Sequence, residues 1–322
     1  MSGLVDLASS KILVTGASGI IGSNLLKALL SLRRKGAEEI SVVTKSGVFP
    51  NLGIDYEKVK TLNGDLLDSS FVDNISNFDL IFHAAGYGQP AKFMADGIST
   101  MLLNSEITRK LLARVNPGGR FIFFSSSEIY SGSLSIPYNE EHIGTTNPLH
   151  ERASYIEGKR FGEALTNIMG KELGISTCSI RIALVYGPGT KRNDARVLYS
   201  FIDRALNDRK LVMMDLGKAM RAYCFIEDAI KLIIKITTDG TKPIYNLGGR
   251  ELISIRSLAE EICFLTGAKF ELPTMIIDMG SAPSTVLLDM TRTLDLFDQE
   301  FEFTQMRAGL RKTIDWQKMC LD

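Results

Sequence analysis

Apolar and polar residues follow two alternating patterns along the first half of the chain. Short apolar runs rich in β-branched residues, at 11–15, 39–44 and 59–62, predict buried strands. The stretch 22–34 has leucines three and four positions apart, which predicts a helix with one buried face. A strand followed by a helix and then by another strand indicates a parallel sheet with helices on both faces.

The same alternation continues to about residue 184. Further strands are predicted at 80–83, 120–125 and 178–184, and further helices at 97–114 and 155–173. Repetition of this unit predicts an α/β fold built on a doubly wound parallel sheet.

The pattern becomes less regular beyond Gly187, although helices are still predicted there, at 197–207, 227–237 and 255–266. We expect the doubly wound domain to span residues 1–182, with a segment at about 218–245 that returns to it. Residues 183–322 are expected to form most of a smaller C-terminal lobe that binds the substrate.

Charge and cysteine content exclude several classes of protein. The 322 residues include 37 Lys plus Arg and 37 Asp plus Glu, and this balance provides no basic surface for nucleic acid or an anionic membrane. The four cysteines are scattered without a CxxC pair, which favours a reduced protein over a disulfide framework or a zinc site. The sequence shows no targeting segment and no apolar run near the ~20 residues of a membrane span. We therefore expect a cytoplasmic protein without a metal site.

Three glycines separate the first predicted strand from the first helix. Gly16, Gly19 and Gly22 have the GxxGxxG spacing. Such glycines permit a tight turn, a close approach of the backbone to a pyrophosphate, and close packing of helix against strand. The helix N-terminus then presents free N–H groups to the anion. Because the triplet follows a strand and opens a helix, it predicts a dinucleotide site.

The choice between NAD and NADP stays open. An acidic residue after the second strand would bind the adenosine ribose of NAD, but Thr44 and Lys45 stand there. Thr44 can bond a ribose hydroxyl, and Lys45 can pair with a 2′-phosphate or remain a solvated lysine. Asp65, after the next strand, is a candidate contact for the adenine amino group or a helix cap.

A tyrosine and a lysine lie four positions apart on a predicted helix. Tyr155 and Lys159 therefore share a face, and an ammonium beside a phenol favours the phenolate. Ser125, Ser126 and Ser127 end a strand about thirty residues earlier, at the ligand edge of a parallel sheet. A serine hydroxyl there can bond the substrate oxygen whose proton Tyr155 transfers.

The glycine triplet, the serine-ended strand and the Tyr/Lys pair together resemble the extended short-chain dehydrogenase/reductase family, from Lys11 to about Ala229. The run 125–130 is similar to the signature of nucleotide-sugar dehydratases and decarboxylases, with Ser126 at the catalytic Ser/Thr position and Glu128 at the catalytic carboxylate. The segments 147–160, 187–188 and 193–197 resemble the UDP-glucuronate decarboxylase branch.

The resemblance implies a Rossmann domain that binds NAD, with NADP as an alternative. It also implies transient oxidation of a nucleotide diphosphate sugar at C4, followed by 4,6-dehydration or decarboxylation. The implied catalytic residues are Ser126, Glu128, Tyr155 and Lys159. The implied substrate contacts are Ser127, Arg196 and Arg221. The implied cofactor contacts are Gly16, Ser18, Gly19, Ile20, Ile21, Gly22, Thr44, Lys45, Asp65, Leu66, Ala84, Ala85, Gly86, Asn104, Ser125, Tyr155 and Lys159.

Two departures from the family pattern keep other activities open. Leu184 replaces a usual asparagine, and residues 283–288 lack the arginine that usually precedes the counterpart of Asp289. The alternatives are a 4-epimerase, an NADPH-dependent 4-ketoreductase, for which Lys45 is the only support, and a non-enzymatic dinucleotide sensor. The family also implies a homodimer formed through the helices predicted at 97–114 and 155–170.

Overall fold

The computed structural model describes residues 4–190, 194–275 and 283–320. Its strands, in chain order, are β1 (Ile12–Thr15), β2 (Ile40–Thr44), β3 (Val59–Asn63), β4 (Phe78–His83), β5 (Val115–Ser126), β6 (Ser176–Ile182), β7 (Val185–Tyr186), β8 (Lys210–Val212), β9 (Met220–Ala222), β10 (Cys224–Phe225), β11 (Ile244–Leu247), β12 (Leu252–Ser254), β13 (Lys269–Glu271) and β14 (Thr285–Val286).

The α-helices of the same residues are α1 (Ile20–Leu32), α2 (Ser69–Asp73), α3 (Pro90–Ala95), α4 (Gly97–Asn104), α5 (Glu106–Leu112), α6 (Ala153–Leu173), α7 (Val197–Asn207), α8 (Ile226–Asp239), α9 (Ile255–Thr266), α10 (Thr291–Leu294) and α11 (Met306–Met319). Short 3₁₀ turns lie at Tyr56–Lys58 and Ser127–Tyr130.

Seven parallel strands form the central sheet, in the order β11-β6-β5-β4-β1-β2-β3. All four residues of β1 are buried, as expected for a strand with helices on both faces of its sheet. The chain runs outward from β1 to β3 and then returns to add β4, β5 and β6 on the other side. The switch point between β1 and β4 is where such sheets bind ligands. The predicted doubly wound α/β fold is confirmed.

Two predicted elements differ in detail from those observed. The single helix expected at 97–114 is two helices, α4 and α5, because Ser105 has φ −119° and ψ −86° and interrupts the helical backbone. The strand expected to reach Leu184 ends at Ile182, since Leu184 has a left-handed φ of 48°. The pattern along the C-terminal region did not predict α11.

The short strands after residue 184 form small sheets outside the central one. They pair β7 with β10, β8 with β13, and β9 with both β12 and β14. Helix α8 packs against α1 and β11, whereas α7, α9 and α11 pack against one another. Asn193, part of one family-like segment, lies outside the described residues. Within the described parts of the chain, no helix is long and apolar enough to cross a membrane.

Candidate active site

The loop between β1 and α1 and the first turn of α1 are too tightly packed for any residue larger than glycine at two of their three glycines, Gly16 and Gly22. Gly16 has φ +72°, and a Cβ there would lie 2.6–2.7 Å from the backbone of Ala84 and Ala85. A Cβ on Gly22 would lie 2.3 Å from the carbonyl oxygen of Gly16. Gly19 caps α1 without a side-chain bond, so the first N–H groups of the helix remain available to an anion. This cradle fits the pyrophosphate of a dinucleotide.

The other candidate cofactor residues follow the carboxyl ends of neighbouring strands. Ser18, Ile20 and Ile21 belong to the loop and first turn after β1. Thr44 ends β2 and Lys45 follows it. Asp65 and Leu66 follow β3, and Ala84, Ala85 and Gly86 follow β4. The order of the sheet therefore brings these segments to one edge.

Lys45 and Asp65 bond to each other, with 2.5 Å between the lysine Nζ and a carboxylate oxygen. The Lys45 side chain is 77% exposed, so water screens this pair. The Thr44 hydroxyl accepts a hydrogen bond from the Gly47 amide at 3.0 Å. The two charged candidates on this side of the sheet therefore neutralise each other.

Asn104, the last residue of α4, has a buried amide with only one side satisfied. Its Nδ2 donates to the carbonyl oxygen of Thr100 at 2.7 Å, whereas its Oδ1 is buried without a hydrogen-bond partner. An unpaired buried acceptor is costly, so it marks a place where a donor is expected.

Ser126, Tyr155 and Lys159 come together where β5 ends and α6 begins. The Ser126 hydroxyl lies near enough to Tyr155 to lower the pKa of the phenol, and its Oγ accepts a hydrogen bond from the Glu128 amide at 3.2 Å. Lys159 donates from Nζ to the carbonyl oxygen of Phe124 at 2.7 Å, and the same Nζ lies 5.8 Å from the centre of the Tyr155 ring. A Cβ added to Gly86 would be 3.7 Å from that Nζ, so the lysine also borders the cofactor edge.

Burial governs the protonation of this group. It lowers the pKa of Lys159 to about 7, because the ammonium has lost its water. Burial also raises the pKa of Tyr155, and the Ser126 hydroxyl and the charges of Arg152 and Arg196 oppose that rise. Desolvation is the largest effect on the pKa of Tyr155 in this structure. The expectation that Lys159 favours the phenolate stays a prediction.

Glu128 lies in the 3₁₀ turn after β5 and forms an ion pair with Arg152, at 2.8 Å between Oε1 and Nη2. Burial raises the pKa of Glu128, and the positive charges of Arg152, His150 and Arg221 oppose the rise. Glu128 in turn raises the pKa of Tyr155. The structure thus places the candidate carboxylate within electrostatic reach of the Tyr155 hydroxyl.

The two candidate phosphate-binding arginines face the same cluster from the C-terminal half. Arg196 bonds Asp194 at 2.7 Å, and its charge lowers the pKa of Tyr155. Arg221, on β9, donates to the carbonyl oxygen of Met220 at 2.8 Å, and its charge lowers the pKa of Glu128.

The serines on either side of Ser126 differ in their surroundings. Ser127 opens the 3₁₀ turn that carries Glu128. Ser125 instead donates its hydroxyl to the buried carboxylate of Glu163, which also pairs with Arg181 at 2.8 Å. Adjacent strand residues point to opposite faces, so the side chain of Ser125 is engaged away from Ser126.

Sequence reasoning missed two residues of this site. Phe93, in α3, stacks on Tyr155 with ring centroids 4.4 Å apart. Arg152 lies within a family-like segment, but its spacing to Glu128 gave no sign of their contact. The position of Arg152 three residues before Tyr155 was an available signal, whereas Phe93 had none.

Comparisons with known proteins agree with this geometry. Residues 12–248 match the model of the NAD dependent epimerase/dehydratase family. A UDP-glucuronic acid decarboxylase 6 of Arabidopsis thaliana is 30% identical over 94% of this chain and 87% of its own length. A UDP-glucuronic acid decarboxylase 1 of Xenopus tropicalis is 28% identical over 95% of this chain and 72% of its own length.

Among solved structures, a UDP-glucose 4-epimerase of Thermotoga maritima, determined with UDP-glucose, has the same fold. Its TM-score is 0.81 at 21% identity, covering 97% of this chain and 100% of that one.

A parallel sheet with a glycine cradle at its switch point and a Ser–Tyr–Lys cluster between the end of β5 and the start of α6 is typical of a dinucleotide-dependent enzyme of the extended short-chain dehydrogenase/reductase class. More specifically, the chain belongs to the NAD dependent epimerase/dehydratase family. The expected cofactor, NAD, is thereby confirmed.

Proposed function

We propose that this enzyme oxidises a nucleotide sugar transiently at C4 and then breaks a bond at C5, by 4,6-dehydration or by decarboxylation. The observation that carries the proposal is the position of Glu128, whose charge reaches the same Tyr155 that contacts Ser126. Inversion at C4 involves no proton transfer at C5 or C6, whereas dehydration and decarboxylation do, and a carboxylate is one of the side chains that can perform it.

Each residue of the cluster has a role that its contacts support. Tyr155 takes the proton of the C4 hydroxyl, and Ser126, whose hydroxyl lowers the pKa of Tyr155, binds the same C4 oxygen. Lys159 places its Nζ 5.8 Å from the centre of the Tyr155 ring. Bound NAD supplies a hydride acceptor for C4. Glu128 then transfers the proton at C5 or C6.

The lobe formed mostly by residues 183–322 is proposed to bind the nucleotide diphosphate. Arg196 is the N-cap residue of α7, and its charge lowers the pKa of Tyr155. Arg221 lies in β9, and its charge lowers the pKa of Glu128. A guanidinium binds phosphate through two parallel hydrogen bonds, which suits this role. Ser127 is proposed to contact the sugar from the turn that carries Glu128.

A homodimer through α4 and α6 is also proposed. These helices pack together and carry exposed apolar side chains, among them Ile98, which is 78% exposed, and Phe161, which is 54% exposed. An apolar surface of this kind marks a contact with another protein surface. The cytoplasmic location expected from the cysteines stays a prediction.

The product of the reaction tests the proposed function. UDP-glucose, UDP-glucuronate and dTDP-glucose are incubated separately with the enzyme and NAD, and the sugars are followed by NMR. A new 4-keto sugar or released CO2 is expected, and an inverted C4 hydroxyl would instead indicate a 4-epimerase.

Three variants separate the proposed roles. Tyr155→Phe is expected to abolish cofactor reduction, which is followed by absorbance. Glu128→Gln is expected to retain cofactor reduction and lose the product. Glu151→Gln, an exposed carboxylate near the site, is the control and should behave as the wild type. Unchanged turnover in Tyr155→Phe would contradict the whole proposal.

A 4-epimerase is the second candidate, because residues 283–288 lack the expected arginine and Thr285 lies in β14, next to β9. The ketoreductase alternative stays open, because a dTDP-4-dehydro-6-deoxy-D-allose reductase of Streptomyces sp is 26% identical over 97% of this chain and 97% of its own length. Lys45, its sequence support, is paired with Asp65 at an exposed position.

A further inference from the structure

Arg152 occupies a position that helix stability does not explain. It is the N-cap residue of α6, and its side chain makes no capping bond. The first turn of α6 contains no acidic residue to balance the charge. A cation at a helix N-terminus meets the positive end of the helix dipole and is unfavourable there. The reason for an arginine at this position must therefore lie outside the helix.

The contacts of Arg152 all converge on the catalytic cluster. Its Nη2 lies 2.8 Å from Oε1 of Glu128, and its guanidinium centre is 5.5 Å from the centre of the Phe93 ring. Phe93 in turn stacks on Tyr155. The Nε of Arg152 is buried without a hydrogen-bond partner, so stacking and the ion pair hold the guanidinium in place.

We infer that Arg152 is a positioning residue whose ion pair at 2.8 Å holds the Glu128 carboxylate in the orientation from which Glu128 accepts the proton from C5 of a 4-keto sugar. The inference rests on the proposed function, because it assigns Glu128 a direction of proton transfer within that reaction.

The proposed step is a proton transfer from C5 of the 4-keto sugar to Glu128. The C5–H bond breaks, the proton moves to a carboxylate oxygen of Glu128, and the electron pair enters an enolate with the C4 carbonyl. The C5–C6 double bond then forms from the enolate, and the C6 hydroxyl leaves as water with the proton that Glu128 has taken from C5. Decarboxylation runs differently, because the C5–C6 bond breaks and C5 must then receive a proton. A deprotonated Glu128 therefore favours dehydration over decarboxylation.

Charged and titratable groups from several elements surround Glu128. Arg152 and His150 approach from the segment before α6, and Arg221 from β9, and all three lower the pKa of Glu128. Arg152 is the largest of these opposing charges, and it is also the one in direct contact.

Two phenols complete the surroundings of Glu128. Tyr138 and Tyr155 each have a pKa that Glu128 raises further. Neither phenol replaces the positive charge of Arg152. Removal of Arg152 therefore leaves burial of the carboxylate as the dominant effect.

A direct titration tests the hold of Arg152 on Glu128 without a substrate. The protein is labelled with ¹³C at the glutamate carboxyl carbons, and the Glu128 resonance is assigned by its loss in Glu128→Gln. Arg152→Met should raise the titration midpoint of Glu128 by about one pH unit, the lower end of the effect of a charge at this distance. Arg152→Lys should restore most of the shift. An unchanged midpoint in Arg152→Met would overturn the inference alone.

The consequence for catalysis is measured with UDP-glucose and dTDP-glucose in D2O. At pH values below the Glu128 midpoints of both the wild type and Arg152→Met, deuterium incorporation at C5 should be about tenfold slower in the variant. The reason is that the deprotonated fraction of Glu128 falls tenfold for each unit by which its midpoint rises. Cofactor reduction should show a smaller shift of its acidic limb, because loss of the Arg152 charge raises the pKa of Tyr155 whereas protonation of Glu128 lowers it. Arg109→Met removes an exposed Arg–Glu pair in α5, at 3.0 Å, and should change neither rate.

The outcomes separate the two proposals. Equal slowing of C5 exchange and cofactor reduction in Arg152→Met, without a shifted acidic limb, would mean a merely structural role and would overturn the inference. Absence of cofactor reduction in the wild-type protein with UDP-glucose, dTDP-glucose and UDP-glucuronate would instead overturn the proposed function.

Discussion

The ring of Phe93 lies flat against the ring of Tyr155, with an angle of 10° between their planes and 4.4 Å between their centroids. Phe93 is almost completely buried, and Arg152 packs on it as well. One apolar side chain from α3 thus fixes the direction of the catalytic phenol and of the arginine that pairs with Glu128.

Phe93→Leu should therefore reduce catalysis more than stability. We expect the rate of cofactor reduction to fall by roughly tenfold, because misplacement of a reacting group by a fraction of an ångström is costly. The free energy of unfolding should fall by only about 1–2 kcal/mol, because most of the buried apolar volume is kept. Stopped-flow absorbance and urea unfolding measure the two effects.

The matched control is Phe301→Leu. Phe301 packs on Phe297 with centroids 5.0 Å apart in the segment after α10. A similar loss of stability with an unchanged rate is expected there. Equal losses of rate in the two variants would argue against a positioning role for Phe93.

Lys159 should give the stability of the protein a distinct dependence on pH. Its pKa is about 7 in the folded protein and ordinarily 10.5, so between these values the unfolded chain binds more protons on this side chain. The free energy of unfolding therefore rises with pH between about pH 7 and pH 10.5. Below about pH 7 Lys159 is protonated in both states, so it no longer makes the stability depend on pH. In Lys159→Met this contribution disappears.

Urea unfolding at pH 7.5 and pH 9 measures the difference. The wild type should gain up to about 1.4 kcal/mol per pH unit relative to Lys159→Met. The exposed Lys171→Met is the control and should follow the wild type. Parallel pH dependence of the wild type and Lys159→Met would show that burial of the ammonium has no such effect.

Leu184 is strained in its backbone, with φ 48° directly after β6. Left-handed backbone is unfavourable for leucine, whereas asparagine adopts it more readily. Leu184→Asn and Leu184→Ala both remove the leucine side chain, but only asparagine suits the backbone. We expect Leu184→Asn to be more stable than Leu184→Ala by about 1 kcal/mol in chemical unfolding. An alanine variant that is equally stable would contradict the strain.

The proposed dimer is tested by placing a charge in the exposed apolar surface of α6. Light scattering should give twice the chain mass of 35.5 kDa for the wild type and a single chain mass for Phe161→Glu. A charge in a desolvated contact is costly, whereas on an open surface it is not. A wild-type mass of 35.5 kDa would refute the dimer. The control is Lys171→Glu, at an exposed polar position of the same helix, which should keep the mass of the wild type.

Sequence patterns predicted the parts of the molecule that depend on local regularity. The strand–glycine–helix unit around Gly16 was predictable because tight turns demand glycine, and the Tyr155–Lys159 pair because helical spacing sets which residues share a face. The break at Ser105 was not predictable, since the apolar pattern continues through it. Contacts between distant segments, such as Arg152 with Glu128 and Lys45 with Asp65, depend on tertiary packing and leave no periodic signal.

The anchoring of α6 has a consequence for redesign of the enzyme. Tyr155, Lys159 and Glu163 follow one another at four-residue intervals along one helical face, and Arg181 and Ser125 bind Glu163 to the sheet. Two catalytic candidates, Tyr155 and Lys159, therefore lie on one helix that is bound to the sheet, and Ser126 and Glu128 lie at the end of the neighbouring strand β5. The segments 131–150 and 194–225, which approach from elsewhere, form a separate part. Exchange of these segments between relatives should transfer sugar preference while the proton-transfer apparatus stays in place, so the two parts can diversify independently.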